Sequence, residues 1–176
     1  RISMIFQEPM ISLNPVYTVG NQIIEPLIRH RGMDKSQALK EALRILDRTG
    51  IVDSQERLRS YPHQLSGGQR QRVMIGMALS CSPSLLIADE PTTALDVSTQ
   101  DRILELIKDI QTEYQMAMLL ITHDLAMVRQ IAERIYIMKE GRIVESGNRD
   151  NIFNTPENTY TRQLMAAIPQ PREKFT

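Results

Sequence analysis

Cysteine is nearly missing from this chain. Cys81 is the single one and sits in an apolar stretch. No disulfide framework and no paired-cysteine metal site can therefore form within the chain, a usage that suits a reducing compartment. No apolar run approaches the roughly 18 residues that a membrane helix needs. Internal repeats and low-complexity segments are not evident. Charge of one sign is not in excess either: 21 Lys and Arg balance 21 Asp and Glu. A neutral balance gives no support to a nucleic-acid or anionic-lipid surface. The first residues, Arg1 to Phe6, lack both a signal-peptide pattern and an initiator methionine. They read as mid-domain sequence, so an N-terminal truncation is expected.

What is present suits one soluble globular domain: 176 residues, 41% hydrophobic and 24% charged. Ile2 to Phe6 reads as a strand, followed by a loop marked by Pro9, Asn14 and Pro15. Val19 to His30 has a helical pattern closed by Gly32. Ser36 to Thr49 is a second amphipathic helix, with Leu39, Leu43 and Leu46 on its inward stripe and Gly50 at its end. A polar segment leads to Pro62. A third helix after Ser66 carries Val73, Met74, Met77, Ala78 and Cys81 at helical spacing. The pattern then changes. Leu85 to Ala88 and Met116 to Thr122 read as buried strands, Thr99 to Glu113 and Leu125 to Glu133 as helices. Glu140-Gly141 is a hairpin turn between strands 134–139 and 142–146. Residues 151–167 read as helical in two pieces broken near Pro156, with a loose tail after Pro169. A helical block at about 10–82 thus precedes an α/β block at 83–150, whose strands read as part of a parallel sheet. A helical segment, 151–168, and a tail, 169–176, follow.

Two segments carry the chemistry. In Leu85 to Pro91, an apolar strand delivers Asp89 and Glu90 to the carboxyl end of the sheet, where ligands bind in such folds. Adjacent residues at a strand end point different ways, so one carboxylate can face a cation and the other a water. The plain alternative is a solvated acidic turn. In Leu65-Ser66-Gly67-Gly68-Gln69, Ser66 is a good N-cap, and glycines at a helix start let an anion approach the open amides. The plain alternative is an ordinary helix start.

Leu65 to Gln69, followed by Arg70-Gln71-Arg72-Val73, resembles the signature motif of ABC-type ATPases. The order of the remaining segments is similar to that family too. Phe6-Gln7-Glu8-Pro9 resembles the Q-loop, and Leu85 to Pro91 the Walker B strand. Thr92 to Asp96 resembles the D-loop, and Thr122-His123-Asp124 the switch histidine segment. The stretches IFQEPMISLNP (5–15), YPHQ (61–64) and IADEPTTALDV (87–97) resemble the peptide, nickel and glutathione importer group. So do Pro156 and the stretch Tyr160 to Leu164.

The resemblance implies an α/β fold: a partial P-loop NTPase domain over 1–168, with a parallel sheet core and an inserted helical subdomain. It implies an ATP-hydrolysing importer subunit on the cytoplasmic face of the bacterial inner membrane. The implied partners are a second ABC ATPase domain, membrane permease subunits and, indirectly, a periplasmic solute-binding protein, with no nucleic acid. ATP and Mg²⁺ are the implied ligands. By the same resemblance, Ser66, Gly67, Gly68 and Gln69 contact the γ-phosphate held by a partner domain. Asp89 serves Mg²⁺, Glu90 is the general base, and Gln7 senses metal and water. His123 contacts the γ-phosphate, and Asp96 crosses the dimer seam. Singly, Gln7 could be a surface loop residue, His123 a turn residue and Asp96 a helix cap. Arg70 and Arg72 read as a charge pair at a helix start.

The chain departs from the family pattern in one large respect. G-x-x-x-x-G-K-[S/T], the Walker A segment, occurs nowhere in it, and none of its 8 glycines precedes a lysine. The chain alone is therefore expected to be inactive. The alternative is a silent or non-transport module that lends its signature to a partner's ATP site. A smaller departure is Gly76, in a helix where alanine would be favoured.

Overall fold

The computed structural model describes residues 2–8, 12–93 and 95–167. The chain forms two compact units, Arg1–Ile121 and Thr122–Thr176. The tail after Pro169 lies outside the described residues.

The first unit is built on three parallel strands: β1 (Ile2–Ile5), β2 (Leu85–Asp89) and β3 (Ala117–Ile121), in the order β1-β2-β3. β1 pairs Ile2 with Leu85 and Ile5 with Ala88, and β2 pairs Leu85 with Ala117 and Asp89 with Ile121. All three run the same way, so their carboxyl ends, at Phe6, Glu90 and Thr122, share one edge. The sheet is therefore parallel as the sequence predicts. β3, however, is not buried throughout. Leu119 is 47% and Ile121 46% exposed; alternate residues of a strand share a face, and this face of β3 is open among the described residues.

Between β1 and β2 runs a helical insertion: α1 (Val19–Arg31), α2 (Lys35–Arg48), α3 (Ser54–Arg57), a 3-10 turn (Pro62–Gln64) and α4 (Gly67–Leu79). α1 closes on Gly32 at φ 66, as its C-terminal glycine predicts. α2 ends in a Schellman arrangement: Gly50 at φ 74 donates to Asp47 O, and Ile51 to Leu46 O. The buried stripe of α2 differs from the predicted one. Ala38, Ala42, Ile45 and Leu46 face inward, while Leu39 is exposed. The reason is the close approach of α4. A Cβ on Gly76 would stand 2.8 Å from Cγ2 of Ile45. The unfavourable helix glycine is thus a packing requirement, and the face of α2 toward it is alanine-rich. Gly20 has a like role on α1, where a Cβ would meet the Leu58 carbonyl oxygen at 2.8 Å. Cys81 lies past the end of α4, in the turn leading to β2. α3 and the 3-10 turn, too short for a periodic signal, occupy the segment read as merely polar.

α5 (Val97–Tyr114) connects β2 to β3 and buries Ile103, Leu104, Ile107 and Ile110, as its spacing predicts. One apolar core, including Ile5, Ile23, Leu46, Ile75, Leu86 and Ile107, joins strands and helices of this unit.

The second unit holds α6 (Leu125–Ile131), the hairpin β4 (Arg134–Lys139) and β5 (Arg142–Asn148), α7 (Arg149–Asn154) and α8 (Thr159–Ala166). Glu140 at φ 49 and Gly141 at φ 75 form the turn, the paired left-handed geometry that matches strand twist. Ile135, Ile137 and Ile152 make a small core of its own. Glu145 accepts from the amides of Glu157 and Asn158 at 2.8 and 3.1 Å, which fixes the break between the last two helices. Among the described residues no helix is long and apolar enough to cross a membrane.

Candidate nucleotide site

Glu90 follows β2 directly, with its amide bonded to Ile121 O at 2.8 Å. Its φ is 45°, a left-handed conformation costly for a side-chain-bearing residue. The turn is closed by Thr93 N donating to Glu90 O at 3.3 Å. The carboxylate is gripped from two sides. Gln7 Nε2, from the segment after β1, donates to Oε2 at 2.9 Å. Thr93 Oγ1 donates to the same oxygen at 2.8 Å. Asp89, the last residue of β2, is half-buried beside it. Gln7, Asp89 and Glu90 are thus brought to one sheet edge, as the strand-end argument predicts. Glu90 sits in a turn, as the plain alternative has it, and its carboxylate there carries the Gln7 and Thr93 bonds.

The segment following Gln7 is tied down by a residue the sequence reading passed over. Gln22, on α1, donates from Nε2 to Asn14 O and Tyr17 O, both at 3.0 Å, and accepts from Asn14 N at 2.8 Å. One side chain thereby holds residues 14–17 against a helix. A glutamine in a helix has no distinguishing pattern, so no sequence signal marks it.

Ser66 caps α4 through a reciprocal box. Gln69 N donates to Ser66 Oγ at 3.2 Å, and Ser66 N to Gln69 Oε1 at 2.9 Å. Gly67 and Gly68 occupy the first turn, where amides lack an intrahelical acceptor. The glycines also let the helix start approach the segment after Glu90. A Cβ on Gly68 would lie 3.0 Å from Thr99 Cγ2, and one on Gly67 3.8 Å from Leu95 Cδ2.

Asp96 caps α5. It accepts from Thr99 N at 3.0 Å, Thr99 Oγ1 at 2.8 Å and Ser98 Oγ at 2.7 Å. The Ser98 hydroxyl and then the Thr99 donors hold its carboxyl down to about 2. The capping role weighed for it from sequence is therefore present. His123 belongs to the second unit, exposed in the link before α6. The following Asp124 caps that helix through Ala126 N and Met127 N. Arg72 is structural: its Nη1 donates to Thr49 O at 2.7 Å, and burial followed by Arg102 lowers its pKa.

Comparison with known proteins fits this arrangement. The family model described as ABC transporter matches residues 1–93, just over half the chain. This chain belongs to the ABC transporter family. Among its curated relatives is the glutathione import ATP-binding protein GsiA. The Salmonella typhimurium protein is 57% identical over 169 residues, covering 96% of this chain and 27% of the relative. The Escherichia coli K12 protein is 55% identical over the same length. This chain thus spans about a quarter of the relatives' length. Among solved structures, the dimeric ATP-binding cassette MJ0796 in a post-hydrolysis state bound to ADP and Pi is similar. Its TM-score is 0.73 with 34% identity, covering 85% of this chain and 63% of that one. The fold is accordingly that of part of an ABC ATPase cassette, and ABC ATPases bind nucleotide.

The donor set suits Mg²⁺ better than a caged metal. Among the described residues no cluster of three His, Cys, Asp or Glu could hold a metal ion. Mg²⁺ does not need one, since it commonly takes one or two carboxylates together with substrate phosphates and water. Asp89 would supply the carboxylate. Gln7 has committed its Nε2 to Glu90, so its amide oxygen is the atom it can offer a cation.

Proposed function

We propose that the protein is the ATP-binding and ATP-hydrolysing subunit that powers import of peptides or related small solutes across the bacterial inner membrane. The observation that carries this reading is the grip on Glu90. A carboxylate at the end of a parallel strand, beside Asp89, is oriented by Gln7 from the neighbouring strand at 2.9 Å. In that place Glu90 acts as general base, taking a proton from the water that attacks the γ-phosphate. Mg²⁺ supplies charge neutralisation at the phosphates, and Asp89 with the Gln7 amide oxygen would hold it.

The other site residues take their roles around this centre. The amides of Gly67 and Gly68, with Ser66 and Gln69, bind the γ-phosphate of ATP held by a second ABC ATPase domain. Asp96 lies at the seam with that domain, and His123 contacts the γ-phosphate. The helical subdomain, about 10–82, faces permease subunits. An open groove of about 660 Å³ lined by Tyr17, Asn21, Ile24, Glu25 and Ile28 supports this. It includes Gln22, whose side chain ties down residues 14–17. The protein is peripheral, on the cytoplasmic side, and a periplasmic binding protein supplies the solute. The identity to glutathione importers supports a small peptide as cargo.

The test is Glu90→Gln in the full-length protein, followed by single-turnover hydrolysis and equilibrium ATP binding. Turnover falls by at least about 100-fold while binding persists. Retained turnover would remove Glu90 from the role of base.

A further inference from the structure

We propose that Thr93 is a positioning residue for hydrolysis: its hydroxyl fixes the rotation of the Glu90 carboxylate. This rests on the reading of Glu90 as the base.

Three observations converge. Thr93 Oγ1 donates to Glu90 Oε2 at 2.8 Å. The backbone holds donor and acceptor in register, through Thr93 N to Glu90 O at 3.3 Å and Glu90 N to Ile121 O at 2.8 Å. The same oxygen receives Gln7 Nε2 at 2.9 Å. A terminal carboxylate torsion is broad and roughly two-fold when nothing restrains it. Two donors arriving at one oxygen from different segments select one rotation. The donors differ in kind. Gln7 lies 83 residues away on another segment, so its grip depends on how that segment stands. Thr93 sits in the turn that Glu90 itself begins, so its grip travels with Glu90. A base aimed by Thr93 stays aimed when Gln7 turns its amide toward a cation.

The hydroxyl is what the turn needs, because Thr93 is exposed and contributes no core packing. Thr92, its neighbour, is the buried one, and its carbonyl accepts from Gln100 Nε2 at 3.0 Å. The adjacent threonines divide the work. Thr92 faces the core and anchors α5, and Thr93 faces the carboxylate.

The experiment compares Thr93→Val, Thr93→Ser and Glu90→Gln in the full-length protein, with kcat, KM for ATP, equilibrium ATP affinity and melting temperature for each. Thr93→Val keeps the shape and removes the donor. It lowers kcat roughly ten-fold or more, as a misaimed catalytic group does, with KM, ATP affinity and melting temperature unchanged. Thr93→Ser keeps the donor and restores kcat. If Thr93→Ser falls as far as Thr93→Val, or if KM rises while kcat holds, the positioning role is wrong. If Glu90→Gln keeps turnover, the base reading has failed. If Glu90→Gln is dead and Thr93→Val turns over normally, the base reading stands and the Thr93 proposal alone falls.

Discussion

In the proposed function the start of α4 and the end of β2 both meet phosphate chemistry, yet they are assembled differently. At Ser66 to Gln69 the capping bonds are local. The cap and its return bond join residues three apart, and a short peptide could form them. At Glu90 the carboxylate is held by Gln7 from 83 residues away, and its amide by the neighbouring strand. The first region is a helix start closed by its own capping box, whose geometry is fixed by its own sequence. The second combines a local bond from Thr93 with contacts that exist only when β1, β2 and β3 are in register. The difference suits the two tasks. Phosphate recognition by open amides needs rigidity, whereas a base that must respond to partners benefits from a contact that can be made and lost.

Breaking the long-range region should cost activity, and breaking the local one should cost stability. The largest effect belongs to Glu90→Gln, which removes the base itself. Next is Gln7→Ala. Gln7 is exposed, and its side chain bonds Glu90, so the melting temperature should hold. Turnover should fall about ten-fold or more, since one of two aiming contacts and an amide oxygen for the cation are both lost. Parallel thermal melts and steady-state kinetics check this. A large drop in melting temperature with turnover intact would show that Gln7 is a structural tether instead.

Ser66→Ala is the counterpart. Removing a capping side chain costs about 1 kcal/mol, and here the Gln69 amide loses its acceptor. The denaturation midpoint should shift by that amount. Ser66→Thr, which keeps the oxygen, should recover most of it. Equal midpoints for serine and alanine would mean that the box is not what starts α4.

The same local-versus-distant contrast explains what the sequence disclosed. Helices with sustained periodicity, the Glu140-Gly141 turn, Gly32 and Gly50 as helix ends, and the delivery of Asp89-Glu90 by a strand were all legible. Each depends on residues within a few positions. The misjudged features depend on partners far along the chain. Leu39 belongs to the apolar spacing of α2, but Gly76 of α4 brings Ile45 and the alanines inward instead. β3 has the composition of a buried strand but occupies the edge of the described sheet. Gln22 carries no motif, and Thr93 falls inside one whose resemblance gives it no role, since a hydroxyl or amide becomes informative only when its acceptor is known. Gln7, Asp89 and Glu90 do meet at one sheet edge, as their strand-end positions predict. The means by which Glu90 is held could not be read.

The smallest expected effect sharpens the comparison within the local class. Asp96, like Ser66, is a helix cap, but it is ionised. The Ser98 and Thr99 donors hold its carboxyl at about 2, below the ordinary 3.8. A carboxyl depressed by folding contributes stability that is complete above its unfolded value and fades as pH falls through the folded one. Asp96→Asn keeps a capping oxygen and does not titrate. The stability advantage of wild type over Asp96→Asn should therefore be constant from neutral pH down to about 4 and shrink between about 4 and 2. Because Asp96 is solvent-exposed, the effect is screened and should weaken further in high salt. Paired urea denaturation curves across that acid range measure it. A difference that stays flat with pH would mean that the hydroxyl donors grip Asp96 no more tightly in the folded chain than in the unfolded one, leaving α5 capped by geometry rather than by charge.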